Sequence, residues 1–168
     1  PEMRLDVIEH GTTPLTMRVV VGKPGTQTPI FSDKMTYLVF APVWNVPGDI
    51  AEQETLPAAL NDPGFLSRMN MEVVDASGNR VNPETMDLSS LEQYRFRQRP
   101  GGSNALGLVK FMFPNQFHVY LHDTPADKLF SREDRALSHG CVRVEKPALL
   151  AEFVLRGNEG WSRERIDS

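Results

Sequence analysis

Phe117-His118-Val119-Tyr120-Leu121-His122, followed by Ser138-His139-Gly140-Cys141-Val142-Arg143, is the pair of segments on which the reading of this chain turns. The first segment alternates. In an extended strand His118, Tyr120 and His122 fall on one face and Phe117, Val119 and Leu121 on the other. The apolar face is expected to pack inward. The polar face carries two imidazoles and a phenol, which are too costly to bury without partners, so it is expected to line a cleft. The second segment holds the single cysteine of the chain. One cysteine makes no internal disulfide; it is either a small buried hydrophobe or a reactive group. A thiol with a reference pKa of about 8.5 needs a base or a positive neighbour to attack at neutral pH, and histidine is the usual base. Gly140 permits a tight turn just before the cysteine. Such a turn aims successive backbone N–H groups at one point, as an oxyanion hole requires. Arg143 lies two residues beyond Cys141, on the same side of an extended chain, where it could hold a substrate carboxylate in a bidentate pair.

Working outward, the opening third reads as strands: residues 3–9 with Met3, Leu5 and Val7 on one face, the Val-rich residues 16–22, and the apolar residues 35–40. Turn-prone segments at 11–14 and 22–29 separate them, which suggests an antiparallel meander. Residues 45–100 read as an irregular insertion over the sheet. Within it are a short helix over 49–55 with Asp49 as N-cap, a helix start at Asp62-Pro63, and a polar turn over 75–82. Strand character returns at 106–113. Residues 124–137 are loop-like. Residues 146–156 form the clearest helix, with Leu149, Leu150, Phe153 and Val154 as its packing stripe.

The chain has 168 residues, 40% of them hydrophobic and 24% charged, an ordinary composition for one domain with a sizeable core. A formal net charge of −4 gives no support for a nucleic-acid partner. No apolar stretch approaches the roughly 20 residues that span a bilayer. The chain begins at Pro1 without an initiator Met, as an excised or processed piece would.

Tyr120-Leu121-His122-Asp123-Thr124 with Ser138-His139-Gly140-Cys141-Val142-Arg143 resembles the signature of the L,D-transpeptidase catalytic domain, the YkuD domain; His122 and Cys141 stand nineteen residues apart, as is typical of that group. Val21-Gly22-Lys23-Pro24, Thr28-Pro29, Trp44-Asn45-Val46-Pro47, Arg97-Gln98-Arg99-Pro100-Gly101, Asn104-Ala105-Leu106-Gly107 and His122-Asp123-Thr124-Pro125 resemble its larger YcbB-like branch. The resemblance covers about residues 5 to 165.

The resemblance implies a β-rich α+β domain over residues 1–168: a sandwich of two packed sheets, a capping insertion at 45–100 and a C-terminal helix. It implies that Cys141 attacks the diaminopimelate carbonyl of a peptidoglycan stem tetrapeptide, expels D-Ala, and passes the acyl group to a second stem amine as a 3→3 cross-link. Water as acceptor would make it an L,D-carboxypeptidase, a thiol hydrolase on the same stem. A non-catalytic peptidoglycan-binding module is the alternative from another class, although binding alone needs no nucleophile. His122 is implied as general base, its ring oriented by the backbone carbonyl of Asp123. The N–H groups of His139, Gly140 and Cys141 are the oxyanion-hole candidates. Ser138, His139, Arg143, Tyr120 and Trp44 are candidates for substrate contacts. Members of the branch differ at the position of His139, some carrying Ser, so His139 is not expected to be the indispensable base. The expected partners are stem peptides and carbapenem-type inhibitors. The expected location is the periplasm or envelope of a Gram-negative bacterium, with any export signal or membrane anchor outside this chain.

No cofactor or metal is expected. His118 and His122 are four apart, but the segment reads as a strand, so helical pairing of two ligands fails. His118 is expected to be structural or cleft-lining, and His10, before Gly11, to sit in an exposed turn. Arg95, Arg97 and Arg99 alternate and would either attract acidic stems or form a solvated strand face. Gly22-Lys23 lacks the glycine spacing of a phosphate loop, and no Ser-x-x-Lys pair supports a serine penicillin-binding enzyme.

Overall fold

A computed structural model describes residues 2–86 and 92–167. Strand β1 (Arg4–Glu9) turns through His10 and Gly11, both at positive φ, into the long β2 (Thr12–Gly22). The expected turn over 11–14 is thus confined to its first positions. Pro14 is accommodated inside β2 because the ladder steps from Val7↔Leu15 to Glu9↔Thr12 at a bulge, where no N–H is required of it. Met3, Leu5 and Val7 pack on the main core, as their alternation predicts.

Strand β3 (Tyr37–Phe40) does not continue a meander. It lies at the far edge of the sheet, antiparallel to the later β8, and residues 23–36 cross between. Their course is tied to the turn at residues 138–141 described below, a contact that local pattern does not carry.

The expected irregular insertion is regular. It opens with β4 (Trp44–Asn45) and a continuous helical run: α1 (Gly48–Ile50), a π-helical turn (Ala51–Thr55) and α2 (Leu56–Asn61). Pro57 lacks the N–H that an α-turn would use there, and the widened turn before it accommodates that loss. Asp49 lies within this run and is not its cap; the N-cap is Pro47, with no side-chain hydrogen bond. Asp62 and Pro63 precede α3 (Phe65–Arg68), where the Asp62 carboxylate accepts the Gly64 N–H at 3.0 Å. Strands β5 (Met71–Asp75), β6 (Arg80–Val81) and β7 (Tyr94–Gln98) complete a sheet of order β4-β7-β5-β6. Asp75 closes the β5–β6 turn by accepting the N–H groups of Ser77 and Asn79, each at 2.9 Å. Val46, Leu66, Val73 and Phe96 form a separate core here. Part of the 45–100 segment, residues 87–91, lies outside the described residues.

The chain then returns to the main sheet with β8 (Val109–Met112), β9 (Leu121–His122), β10 (Ala136–Ser138) and β11 (Val142–Val144). The order is β1-β2-β11-β9-β8-β3, with β10 parallel to β2. Helix α4 (Pro147–Leu155) packs on this sheet through Ala148, Leu150, Ala151, Val154 and Leu155, around Met17, Val19, Phe111 and Val144. Leu149, expected in the stripe, is exposed, and Ala151 takes the central position. A further short helix, α5 (Arg163–Asp167), adds Ile166 to the same core. The molecule is therefore β-rich α+β with two packed sheets and a C-terminal helical region, as the sequence led us to expect.

A fully buried polar pair joins the two sheets. Asn104 donates to the carbonyls of Pro42 and Arg99, each at 2.9 Å, and Gln98 donates to those of Met69 and Ser103 at 2.9 and 2.8 Å. In return Ala105 N–H reaches Gln98 Oε1 and Leu106 N–H reaches Asn104 Oδ1, both at 2.8 Å. The two chain crossings between the sheets are thus tied to one hydrogen-bond cluster whose amides are largely satisfied.

Candidate active site

The predicted strand over 117–122 forms only at its end. Residues 116 and 117 turn, and His118 takes a φ of +55°. Asn115 causes this: its amide donates to the carbonyls of Phe113 and Val119 and its oxygen accepts the Phe117 N–H, closing the chain on itself. Phe117 is consequently exposed rather than inward, against the expected alternation, and its ring lies 5.4 Å from that of Phe31. Tyr120 and His122 do share a face, with ring centroids 5.7 Å apart.

Strand β11 pairs in parallel with β9, placing Arg143 opposite His122 and Val142 opposite Leu121. The Val142 N–H donates to the Tyr120 carbonyl at 3.1 Å. Cys141, at the head of β11, is therefore held beside Tyr120. The two sequence segments meet by strand pairing, and a cavity of about 810 Å³ opens over them. His118, Tyr120, His122, Ser138, His139, Cys141, Arg143 and Trp44 all line it. Every side chain named from the sequence as a candidate for substrate contact is there.

The turn carrying Cys141 is braced from behind. Gly140 has φ +118°, a conformation that favours glycine. Ser138 Oγ donates to the Cys141 carbonyl at 2.6 Å and accepts the Gly140 N–H at 3.1 Å, so Ser138 holds the turn. Of the three candidate oxyanion-hole amides, that of Gly140 is therefore engaged within the turn. Thr28 Oγ1 donates to the Gly140 carbonyl at 2.7 Å and accepts the Gly22 N–H at 3.0 Å. Thr26 Oγ1 and the Lys23 N–H both reach the Ser138 carbonyl. A side chain on Gly22 would meet the Thr26 carbonyl at 2.0 Å, so only glycine lets this loop close on the turn.

His122 is 5% exposed, and its Nδ1 lies 2.5 Å from the Asp123 carbonyl oxygen. A carbonyl only accepts, so Nδ1 carries the proton and Nε2 the lone pair. Burial, aided by the charges of Arg143 and Lys110, brings the His122 pKa down to about 4. The Asp123 carboxylate faces elsewhere, accepting the N–H groups of Leu108 at 2.8 Å and Thr124 at 2.7 Å. Burial pushes the Cys141 thiol up, while hydrogen bonding from Tyr120 and the charges of Lys110 and Arg143 pull the other way. Burial also drives the Tyr120 phenol well above its usual range. Cys141 Sγ donates to the His118 carbonyl at 3.9 Å. Both shifts favour the neutral forms, the thiol of Cys141 and the imidazole of His122.

Sequence reasoning missed several groups. Lys110 lines the cavity from β8; a lone lysine between Val109 and Phe111 was the available signal. Thr26 and Thr28 gave no local signal. Glu54, from the π-helical turn, reaches His139 Nε2 at 2.9 Å. Arg97 and Arg99 do not face the cavity; with Arg80 they surround the nearly buried Glu72 of the second sheet. His10 is exposed in its turn. Among the described residues no group of three or more His, Cys, Asp or Glu side chains is arranged to hold a metal, and no helix is long and apolar enough to cross a membrane.

Comparison with known proteins identifies the family. The model of the YkuD family, the L,D-transpeptidase catalytic domain, matches residues 1–161. The chain belongs to the YkuD family. It is 39% identical over 168 residues to the "Putative L,D-transpeptidase" of Haemophilus influenzae, an alignment covering 98% of this chain and 34% of that protein. The chain thus spans about a third of the relative it matches. Within this YkuD domain, the match runs from before β1 to Trp161, whose ring stacks on Phe40 at 4.8 Å.

Proposed function

We propose that this domain is a cysteine acyltransferase acting on peptidoglycan stem tetrapeptides, with Cys141 as nucleophile and His122 as general base. The observation that carries the reading is the Nδ1 contact to the Asp123 carbonyl. It leaves Nε2 basic in a cavity shared with the chain's one thiol. As the sulfur bonds to the diaminopimelate carbonyl carbon, the thiol proton passes to Nε2. The tetrahedral oxyanion takes hydrogen bonds from the amides of His139 and Cys141. The C–N bond then breaks, the imidazolium gives its proton to the departing D-Ala amine, and a thioester remains. A second stem amine attacks that thioester, expels the sulfur and forms the 3→3 link. A pKa of about 4 makes the His122 imidazolium a strong acid for the leaving amine. The cell envelope, where the polymer lies, is then where the domain works, and a carbapenem would acylate the same sulfur. The second sheet and its helices, contributing Trp44, Asp49 and Glu54 to the cavity, cap the donor stem.

The test is intact-mass analysis after mixing with a tetrapeptide muropeptide or a carbapenem. A mass gain on the native protein that is absent from Cys141→Ala is expected. Equal gain on both proteins, or none on either, would overturn the assignment. Product analysis on the muropeptide distinguishes the acceptors: cross-linked dimer marks transfer, and tripeptide marks hydrolysis.

A further inference from the structure

His122 is the middle of a row of three residues. Across the antiparallel β8–β9 ladder its partner is Lys110, and across the parallel β9–β11 ladder it is Arg143. Directly paired residues on adjacent strands share a face and lie about 5 Å apart. All three line the cavity, so the base is flanked by a cation on each side. Lys110 Nζ rests 3.8 Å from the Tyr120 ring centroid, an attraction that holds the ammonium in place without consuming its hydrogen-bond donors. Arg143 Nε is buried with no hydrogen-bond partner. Among the described residues no carboxylate pairs with either cation. The acids on the cavity wall, Asp49 and Glu54, come from the capping helices, and Glu54 is engaged with His139. Burial draws the pKa of both cations below ordinary values. A ligand carboxylate would offset that desolvation.

The chemistry says which carboxylate. During acylation His122 delivers its proton to the nitrogen of the departing residue, so that nitrogen lies at the imidazole. In a C-terminal amino acid the carboxylate is only two bonds from that nitrogen and falls beside the flanking cations. One further residue would carry the carboxylate about 3.5 Å onward, out of the row. We infer that Lys110, together with Arg143, reads the C-terminal carboxylate of the donor and so restricts cleavage to the last peptide bond of the stem. The inference rests on the proposed acyl transfer and assigns the specificity of that same site.

Acyl-enzyme formation is measured with three donors: a tetrapeptide stem, the same stem ending in a carboxamide, and the stem one residue longer. The native protein is expected to favour the free acid over either by roughly tenfold or more in kcat/KM. Lys110→Met loses roughly tenfold on the free acid and less than about threefold on the carboxamide, so the preference collapses; Lys110→Arg retains it. Equal losses on acid and carboxamide would reduce Lys110 to a structural role and overturn the inference, as would a native protein without preference. Should Lys110→Met fail to fold, Lys110→Gln takes its place, with the same outcomes. Acylation of the native protein with preference surviving in the variant removes the Lys110 assignment alone. Absence of acylation by every donor removes the proposed function with it.

Discussion

The Nδ1 of His122 donates to the backbone carbonyl of the next residue, Asp123, at 2.5 Å, so the ring is oriented by main chain and not by a carboxylate. The Asp123 side chain instead ties two backbone amides at the edge of β8 and β9. Asp123→Asn is therefore expected to lower thermal stability by about 1–3 kcal/mol, because one amide loses its acceptor. Acylation should stay within roughly fivefold of native, whereas His122→Ala should lose on the order of a thousandfold. Comparable loss from both changes would show that the carboxylate is a third catalytic member after all.

Burial of neutral His122 predicts a pH signature in stability. The unfolded imidazole titrates near 6.5 and the folded one near 4, so between these values the unfolded chain binds more protons. Stability is full above about pH 6.5 and falls by up to about 3 kcal/mol as pH drops to 4. Urea midpoints recorded across that window should show the fall, and His122→Gln should flatten it. A native profile that does not change over this range would contradict neutral burial.

Thr28 is expected to matter for catalysis although it is far from the cysteine in sequence. Its hydroxyl accepts from Gly22 and donates to Gly140, so Thr28→Val removes both bonds at nearly constant shape. We expect a stability loss of about 1–3 kcal/mol and a drop of roughly tenfold or more in acylation rate, with Thr28→Ser restoring most of it. Stability loss with an unchanged acylation rate in the folded fraction would mean that the turn holds its shape without the brace.

Asn104 is fully buried and serves three carbonyls and one amide between the sheets. Asn104→Ala strands those groups and is expected to cost about 3 kcal/mol or more. Hydrogen exchange should show the loss concentrated in residues 42–46 and 98–106, where the chain crosses between the sheets. Uniform loss over the whole main sheet would argue against a local hinge cluster.

Much of the site was legible because its chemistry is local. Residues 138–143 point to the proposed nucleophile on a glycine turn, and the tyrosine, histidine and aspartate of 120–123 to its proposed base. The β-rich class followed from short alternating segments with turn residues between them. Less was legible where long-range pairing decides. The edge position of β3 and the regular sheet within the insertion depend on strands far away in sequence, whereas the shortening of the strand before His122 is a local effect of Asn115 that alternation alone does not carry. Leu149 illustrates the same limit: helical spacing alone does not show that Ala151 faces the core and Leu149 the solvent.

The sequence by itself determined which groups can react: one thiol, a histidine nineteen residues before it, and a glycine that lets the turn form. Only the tertiary structure decided their states. It engaged the Gly140 amide with Ser138 and turned the Asp123 carboxylate toward the amides of Leu108 and Thr124. It also set Lys110 and Arg143 on either side of His122. Reactivity is a property of a residue type and is written in the chain. Protonation, hydrogen-bond occupancy and charge environment are properties of neighbours in space, and neighbours are chosen by strand pairing across the whole sheet.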